Sequence, residues 1–147
     1  MISIQTEDFN AGSEYQALVE AGNTGAVVTF VGRVRDFDKL SGSDFHLEHY
    51  PGMTEKSLQA ILDEAAQRWQ LDAIRVIHRV GRLLPADQIV FVGVSSPHRR
   101  EAFAACEFVM DYLKTRAPFW KKEFGPTGAR WVDAKQSDEA AAARWKK

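Results

Sequence analysis

The apolar residues of this chain recur with two spacings, one typical of strands and one typical of helices. Residues 25–34 (GAVVTFVGRV) and 88–94 (QIVFVGV) are almost unbroken runs of β-branched and other apolar side chains. Such runs predict buried strands, the second of them central in a sheet. Gly32 interrupts the first run and predicts a bulge or a close approach of the backbone. Residues 45–50 and 73–80 predict two further strands, the former half-buried because its apolar and polar positions alternate.

Two segments carry helical spacing instead. In the first, Thr54 is the predicted N-cap. The apolar face of this helix is predicted to contain Leu58, Ile61, Leu62, Ala65 and Trp69. In the second, Ser96 is the predicted N-cap, Pro97 the first helical residue and Pro118 the end. Its predicted apolar stripe consists of Phe103, Cys106, Val109, Met110 and Leu113.

The remaining segments complete the predicted architecture. Residues 81–87 (GRLLPAD) are predicted to be a connection, and residues 119–124 and 129–133 to form a hairpin around a GPTG turn. Residues 137–145 predict a short helix, with acids at its start and a base near its end. Strands interspersed with two main helices predict an α+β or α/β fold, a mixed sheet with helices packed on it.

Length and composition narrow the class of protein. A chain of 147 residues is predicted to be a single domain, 1–147, and its one cysteine excludes a disulfide scaffold. The net charge of −1 argues against bulk binding of nucleic acid. No apolar stretch approaches the roughly 18 residues of a membrane span, and the N-terminus lacks a signal pattern, so we expect a cytoplasmic protein without membrane contact.

The charges are unevenly distributed. Between His98 and Lys122, six Lys and Arg side chains face three acidic ones, a net charge of +3, so the rest of the chain carries −4. His98, Arg99 and Arg100 lie at the predicted helix start, where the helix dipole disfavours cations and favours an anion. Either these side chains are solvated, or they bind a phosphate.

A second basic cluster spans residues 114–122 (KTRAPFWKK), with four cations, two aromatic residues and no acid. One interpretation is a nucleic-acid surface, because basic and aromatic side chains alternate there. The other is a catalytic corner, because Pro118 separates a helix from a strand and allows Lys114 and Lys121 to converge.

Other candidates are weaker. Arg33 and Arg35 alternate at the end of the first predicted strand, which favours either a clamp for an oxyanion or charges that protect a sheet edge. His46 and His49 would face opposite sides of a strand, so no metal site is expected. Cys106 lies on an apolar stripe and is interpreted as a core residue.

Several long strings resemble one family closely. They are AVVTFVGRVR (26–35), LEHYPGMTEKSL (47–58), VIHRVG (76–81), IVFVGVSSPHR (89–99) and MDYLKTRAPFWKKE (110–123). In this order they resemble the MoaE family, the large catalytic subunits of molybdopterin synthase, from about residue 10 to about residue 134.

The resemblance implies a fold and a reaction. The fold is an α/β hammerhead with an additional small antiparallel sheet. The reaction is a sulfur transfer to cyclic pyranopterin monophosphate (precursor Z) that forms the dithiolene of molybdopterin. The sulfur arrives as a thiocarboxylate on the C-terminal Gly-Gly tail of a small ubiquitin-like partner, MoaD. The resemblance further implies a homodimer of large subunits within a heterotetramer, and no cofactor.

The resemblance also assigns residues. The family's two essential lysines fall on Lys114 and Lys121, which are the predicted catalytic residues. The substrate-binding positions would be these two lysines together with Arg33, Val34, Arg35, His98, Arg99, Lys122 and Glu123. The family often has lysine where this chain has Arg33, and an arginine where it has Lys135, in a tail (134–147) expected to be flexible or to contact a partner.

A different class of function uses the same residues. The basic corner could belong to a non-catalytic module that binds nucleic acid or a phosphoprotein. Such a module would lose affinity steeply with salt, whereas the enzyme would require one pterin and one partner tail.

Overall fold

The computed structural model describes residues 1–20, 22–35, 44–125, 128–132 and 136–146, with side chains described over 1–20, 22–35, 46–121 and 138–146. Within these ranges the chain forms eight strands and four helices. In chain order they are β1 (Ile2–Gln5), α1 (Ala11–Glu20), β2 (Ala26–Arg33), β3 (Asp44–His49), α2 (Met53–Arg68), β4 (Ala73–Arg79), β5 (Gly81–Leu83), β6 (Gln88–Ser96), α3 (Arg99–Arg116), β7 (Phe119–Gly125), β8 (Gly128–Val132) and α4 (Gln136–Ala143).

The first sheet has the strand order β1-β4-β6-β2 and is mixed. β1 runs parallel to β4, whereas β6 pairs antiparallel with both β4 and β2. The central position of β6 agrees with its uninterrupted apolar sequence, and seven of its nine residues are buried. The register between β2 and β6 shifts at Gly32, which confirms the predicted bulge.

The second sheet has the order β5-β3-β7-β8 and is antiparallel throughout. The hairpin predicted from the GPTG turn is confirmed, since β7 pairs with β8 from Lys121 opposite Val132 to Gly125 opposite Gly128. The fold is therefore α+β, with a mixed sheet, helices packed on it and a smaller antiparallel sheet, as expected.

The main core lies between the first sheet and helices α2 and α3. Apolar residues at alternate positions of β4 and β6 point to this side, and the largest cluster of buried residues combines them with the two helices. The intervening positions, Ile77 and Phe91, face the opposite side and pack with Leu18 of α1. Burial on both faces explains why β6 carries apolar residues at consecutive positions.

The predicted start of α2 is wrong by two residues. The N-cap is Gly52, whose φ of +86° is easily adopted by glycine, and its N–H donates to the Glu55 carboxylate at 3.3 Å. Thr54 lies inside the helix and is fully buried. Its hydroxyl does not cap α2, because it bonds to the Pro118 carbonyl instead.

The predicted start of α3 and part of its apolar stripe are also wrong. The N-cap is His98 and Pro97 precedes the helix, while the Ser96 hydroxyl accepts a hydrogen bond from the His98 N–H at 3.2 Å. Phe103 is 62% exposed, because the face that packs on the sheet is rotated away from it. The buried residues of α3 are Ala102, Ala105, Cys106, Phe108, Val109, Tyr112 and Leu113.

Three elements were not predicted. β1 and α1 lie in the first 20 residues, where polar positions dilute the periodicity. β5 falls in the segment interpreted as a connection, and its three residues are too few for a recognisable alternation. None of the helices in the described ranges has the length and apolar character that crossing a membrane requires.

The C-terminal helix α4, predicted from its charges, packs against α3. The indole of Trp145 donates to Asp111 at 2.7 Å and lies edge-on to Phe108 and Trp69. Arg68 of α2 donates to the Trp145 carbonyl at 2.7 Å. The residues that follow α4 thus cover the main core beside the middle of α3.

Gly93 in β6 provides a test of the packing between α1 and the first sheet. A methyl group at this position would overlap the buried side chain of Leu18 and lie 2.8 Å from Cε1 of Phe91. We expect Gly93→Ala to lower the free energy of unfolding by about 1–3 kcal/mol in urea denaturation, as overpacking does in other cores. Gly22→Ala is the control, since nothing lies within 4 Å of its added methyl group. Equal stability of the two variants would contradict this account of the packing.

Candidate active site

Helix α3 carries the chain back along β6 to the end of the first sheet where β2 and β4 also end. The Cys106 thiol lies 3.8 Å from the Val92 carbonyl, midway along both elements. The last turn of α3 therefore lies near Gln88, which pairs with Arg33 at the end of β2. Lys114 and Arg33 are thus brought to the same end of the fold, where the two sheets meet.

A single buried threonine fixes the corner between α3 and β7. The Thr54 hydroxyl donates to the Pro118 carbonyl at 3.0 Å and accepts from the Tyr50 N–H at 2.9 Å. It thereby joins the start of α2, the residue after β3 and the proline between α3 and β7. The threonine predicted as a cap instead sets where β7 begins.

Lys121 lies on the inner face of the second sheet. It pairs with Leu47 of β3, and side chains of directly opposed residues share a face. Leu47 is buried in a small cluster with Val34 and Leu83, so this face is directed toward the junction of the two sheets. Phe119, two residues earlier, shares it by strand alternation.

Residues 33–35 approach the same junction from β2. The Val34 N–H donates to the Asp87 carbonyl and the Val34 carbonyl accepts from the Ala86 N–H, while its side chain is buried. Arg33 is exposed and donates through Nε to the Ala86 carbonyl at 3.2 Å, and Arg35 is exposed. The predicted arginine pair thus flanks an anchored valine whose side chain belongs to the core.

His78 was missed by the sequence analysis. It is the second-last residue of β4, it is 5% exposed, and its ring stacks on Phe119 with 3.8 Å between centroids and 15° between planes. Burial lowers the pKa of His78 to about 4. The hydrogen bond to the Arg79 carbonyl opposes this shift, and the charges of Lys114, Lys121 and His49 add to it. Both lysines thus act electrostatically on the same ring.

The sequence did contain a signal for His78. It is the only polar residue at the alternate positions 74, 76 and 78 of β4, which otherwise face the main core. A histidine on the buried face of a strand needs a partner for its ring nitrogens, and the Arg79 carbonyl lies 2.8 Å from Nδ1.

His98 and Arg99 lie at the opposite end of α3. Fifteen residues separate Arg99 from Lys114, which corresponds to about 22 Å along the helix axis. Both side chains are exposed at the helix start. Within one chain, this predicted phosphate site is therefore distant from the corner between α3 and β7 that carries Lys114 and Lys121, which we call the lysine corner.

Four sequence predictions fall partly or wholly outside the described part of the chain. Lys122 and Glu123 pair with His46 and Phe45 of β3 through the backbone, but their side chains lie outside the described residues. Lys135 and most of the loop predicted at 36–44 lie outside them altogether.

The single cysteine is buried, as predicted. Burial, assisted by the charge of Glu107, raises the pKa of the Cys106 thiol to about 12. The thiol is therefore protonated at neutral pH and is not a nucleophile.

The histidines of β3 do not form a metal centre with other described residues. His46 pairs with Glu48 at 3.2 Å, whereas His49 is directed to the other face, near the Phe119 ring at 6.5 Å. No group of three His, Cys, Asp or Glu side chains with metal-binding geometry occurs among the residues whose side chains are described.

Comparison with known proteins identifies close relatives. The model of the family described as MoaE protein matches residues 4–116. A molybdopterin synthase catalytic subunit of Vibrio cholerae is 60% identical over 98% of this chain and 97% of its own. The structure of a molybdopterin biosynthesis MoaE protein from Burkholderia ambifaria superposes with a TM-score of 0.85 at 55% identity, covering 99% of this chain and 98% of that one.

A more distant structure shares the fold. It is a protein–protein complex of subunits 1 and 2 of molybdopterin-converting factor from Helicobacter pylori, with a TM-score of 0.74 at 20% identity. The match covers 92% of this chain and 90% of that one.

The buried neutral ring of His78 predicts loss of stability in acid. The unfolded chain takes up a proton near pH 6.5, whereas the folded chain resists it down to about pH 4. The contribution of the neutral His78 ring to the free energy of unfolding is therefore complete above pH 6.5. At pH 5 about 2 kcal/mol of that free energy is lost, because only the unfolded chain binds the proton. Urea denaturation at pH 7 and pH 5 measures it.

His78→Phe is expected to flatten this acid dependence, because the ring can no longer be protonated. His98→Phe, which changes an exposed histidine, is the control and should keep the dependence of the parent. An unchanged slope in His78→Phe would show that other groups cause the acid loss.

Proposed function

The chain belongs to the MoaE family, and we propose that it is the catalytic subunit of a molybdopterin synthase. This enzyme transfers sulfur from the C-terminal thiocarboxylate of a small ubiquitin-like subunit to precursor Z. The transfer forms the dithiolene of molybdopterin. It is a sulfur-transferring enzyme of molybdenum cofactor biosynthesis. The observation that supports the proposal is that Lys114 and Lys121, on either side of the corner between α3 and β7, act electrostatically on one buried ring, while residues 33–35 approach the same end of the fold.

The lysine corner suits the chemistry of a thiocarboxylate. When its sulfur bonds to a carbon of the pterin side chain, the C–O bond at that carbon breaks, and the oxygen leaves on the phosphate as the cyclic ester opens or, after protonation, as water. The small subunit is then held as a thioester. Attack of water on the thioester carbonyl gives a tetrahedral oxyanion, whose collapse leaves sulfur on the pterin and a carboxylate on the small subunit. Lys114 and Lys121 are the donors that stabilise this oxyanion and move protons during the addition.

The buried cysteine supports an external source of sulfur. The chain has one thiol, and it is enclosed between α3 and β6 in its protonated form. A sulfur carrier that delivers its cargo on a flexible tail removes any need for a nucleophilic thiol in the catalytic subunit.

The two arginines after β2 are suited to the phosphate of precursor Z. A guanidinium group binds phosphate oxygens through two parallel hydrogen bonds, and both arginines are exposed beside the corner. The backbone bonds of Val34 hold the segment between them. Val34 therefore contributes to substrate binding through the placement of its neighbours.

The distance between the two ends of α3 supports a dimer of large subunits. His98 and Arg99 are about 22 Å from Lys114 in one chain, too far to share a single small substrate. A second copy that places its helix start against the lysine corner would join them. This arrangement agrees with the proposed heterotetramer, with a small subunit at each end of a central dimer.

The alternative of a nucleic-acid-binding module has no support in these comparisons. The relatives at 55–60% identity are named molybdopterin synthase catalytic subunit, and this chain matches them over nearly their full length.

Substitutions in the corner separate catalysis from binding. We expect Lys114→Ala to slow dithiolene formation by about 100-fold or more, since loss of one oxyanion donor has that effect. Arg35→Ala is expected to raise KM for precursor Z about tenfold with a smaller change in kcat, because a charged contact to phosphate is lost. The assay combines the purified chain with a thiocarboxylated small subunit and precursor Z.

The matched control is Lys146→Ala, which removes an exposed lysine after α4. It should leave both constants unchanged. Normal turnover by Lys114→Ala would rule out the assigned role of this lysine.

Mixing two defective variants tests the shared site. If each site takes Lys114 from one copy and Arg99 from the other, a dimer of Lys114→Ala with Arg99→Ala contains one intact site and one doubly defective site. Random exchange of subunits makes about half of the dimers mixed, so activity should recover to about a quarter of the wild-type value. No recovery in the mixture, with exchange verified by mass spectrometry, would mean that the two groups do not share a site.

A further inference from the structure

We propose that His78 is a positioning residue of the sulfur-transfer site, whose neutral ring supports Phe119 and offers its Nε2 lone pair to an ammonium group of the lysine pair. The inference rests on the proposed function. His78 belongs to β4 of the first sheet, whereas the predicted catalytic Lys121 belongs to β7 of the second.

The ring is held firmly on two sides. Its face lies on Phe119 at 3.8 Å between centroids, nearly parallel, and Nδ1 is 2.8 Å from the Arg79 carbonyl. The side chain is 5% exposed, so water contributes little to its orientation. A ring constrained by a stack and a hydrogen bond has one orientation available.

That hydrogen bond also determines which nitrogen carries the proton. A carbonyl oxygen can only accept, so Nδ1 must be the donor. In the neutral ring Nε2 then carries the lone pair and can only accept. His78 therefore presents an acceptor to surroundings that are rich in donors.

The charged and titratable groups around the ring are cationic or basic. Those that act on its charge come from the end of α3, from β7 and from β3, and they are Lys114, Lys121 and His49. Together with burial, the charges of the two lysines lower the pKa of His78 to about 4. A neutral acceptor in this position attracts an ammonium group, whereas a protonated ring would repel both lysines.

The stack connects this acceptor to the backbone that carries Lys121. Phe119 is the first residue of β7 and follows the proline bound by Thr54. Lys121 lies two residues further along the same face of β7. The stack thus fixes Nε2 beside the strand that carries Lys121, and His78 acts on the lysines through Nε2.

Three substitutions separate the effect of the Nε2 acceptor from that of the aromatic ring. His78→Gln places an amide oxygen near the former Nε2, His78→Asn places an amide N–H near the former Nδ1, and His78→Phe keeps the stacked ring without either nitrogen. We expect kcat for dithiolene formation to fall at least about tenfold in the Asn and Phe variants and less than about threefold in the Gln variant. KM for precursor Z and affinity for the small subunit should change less than about twofold in all three.

Two outcomes would overturn the proposal. One is wild-type kcat in all three variants. The other is a loss of kcat in the Gln variant equal to that in the Phe variant, because the acceptor would then be irrelevant. The wild-type chain is assayed first: absence of dithiolene from the wild type would refute the proposed function, whereas the His78 variants test the positioning role.

A spectroscopic measurement tests the same proposal without activity and in the folded wild-type protein. Nitrogen-15 NMR of the His78 ring at pH 7 should show a proton on Nδ1 and a lone pair on Nε2. The Nε2 resonance should shift in Lys114→Ala or in Lys121→Ala, and it should be unaffected in Lys146→Ala. A proton on Nε2, or a resonance indifferent to both lysine substitutions, would contradict the proposal even if the variants at position 78 failed to fold.

Discussion

The hydrogen bond from the Thr54 hydroxyl to the Pro118 carbonyl is the contact on which the candidate site depends. Pro118 lies where the chain leaves α3 and turns into β7, and its own nitrogen has no hydrogen to donate, so it cannot hold the corner by a backbone donor bond. Thr54 supplies a hydrogen bond to the Pro118 carbonyl from α2, inside the core, and also accepts from the N–H of the residue after β3. Because α2, β3, α3 and β7 are all joined at this point, the contact fixes the backbone of the corner that lies between Lys114 and Lys121.

The same corner explains how a nearly neutral chain produces a strongly basic site. The +3 segment between His98 and Lys122 follows α3 from one end of the fold to the other and enters β7. Between its two ends the exposed face of α3 carries acids, and Arg144, next to Trp145, pairs with Glu107 and Asp111. The middle of the helix is thereby neutralised, and the positive charge is concentrated at the two ends that contain the candidate residues.

The sequence was sufficient where a signal is local. The buried strand β6, the bulge at Gly32 and the β7–β8 hairpin follow from residues adjacent in the chain, and all three are confirmed. It was insufficient where a side chain is used across the fold: Thr54 resembles a cap because its distant partner, Pro118, is not visible in the pattern. His78 escaped notice for the same reason, since its stacking partner Phe119 comes from the other sheet. The helical stripe that included Phe103 failed because the docking angle of α3 selects its buried face.

The length of α3 and the burial of Cys106 both bear on the partners proposed for the enzyme. A thiol enclosed in the core is not available to carry sulfur, which fits the proposed delivery of sulfur by another protein at the lysine end of the helix. The cations at the other end, about 22 Å away, are too distant to act on the same pterin within one chain. In the proposed assembly a single copy would hold half of each of two sites, which is the arrangement that a central dimer of catalytic subunits would complete. His78 is buried beneath the lysine end, in the half of the proposed site that would receive the sulfur.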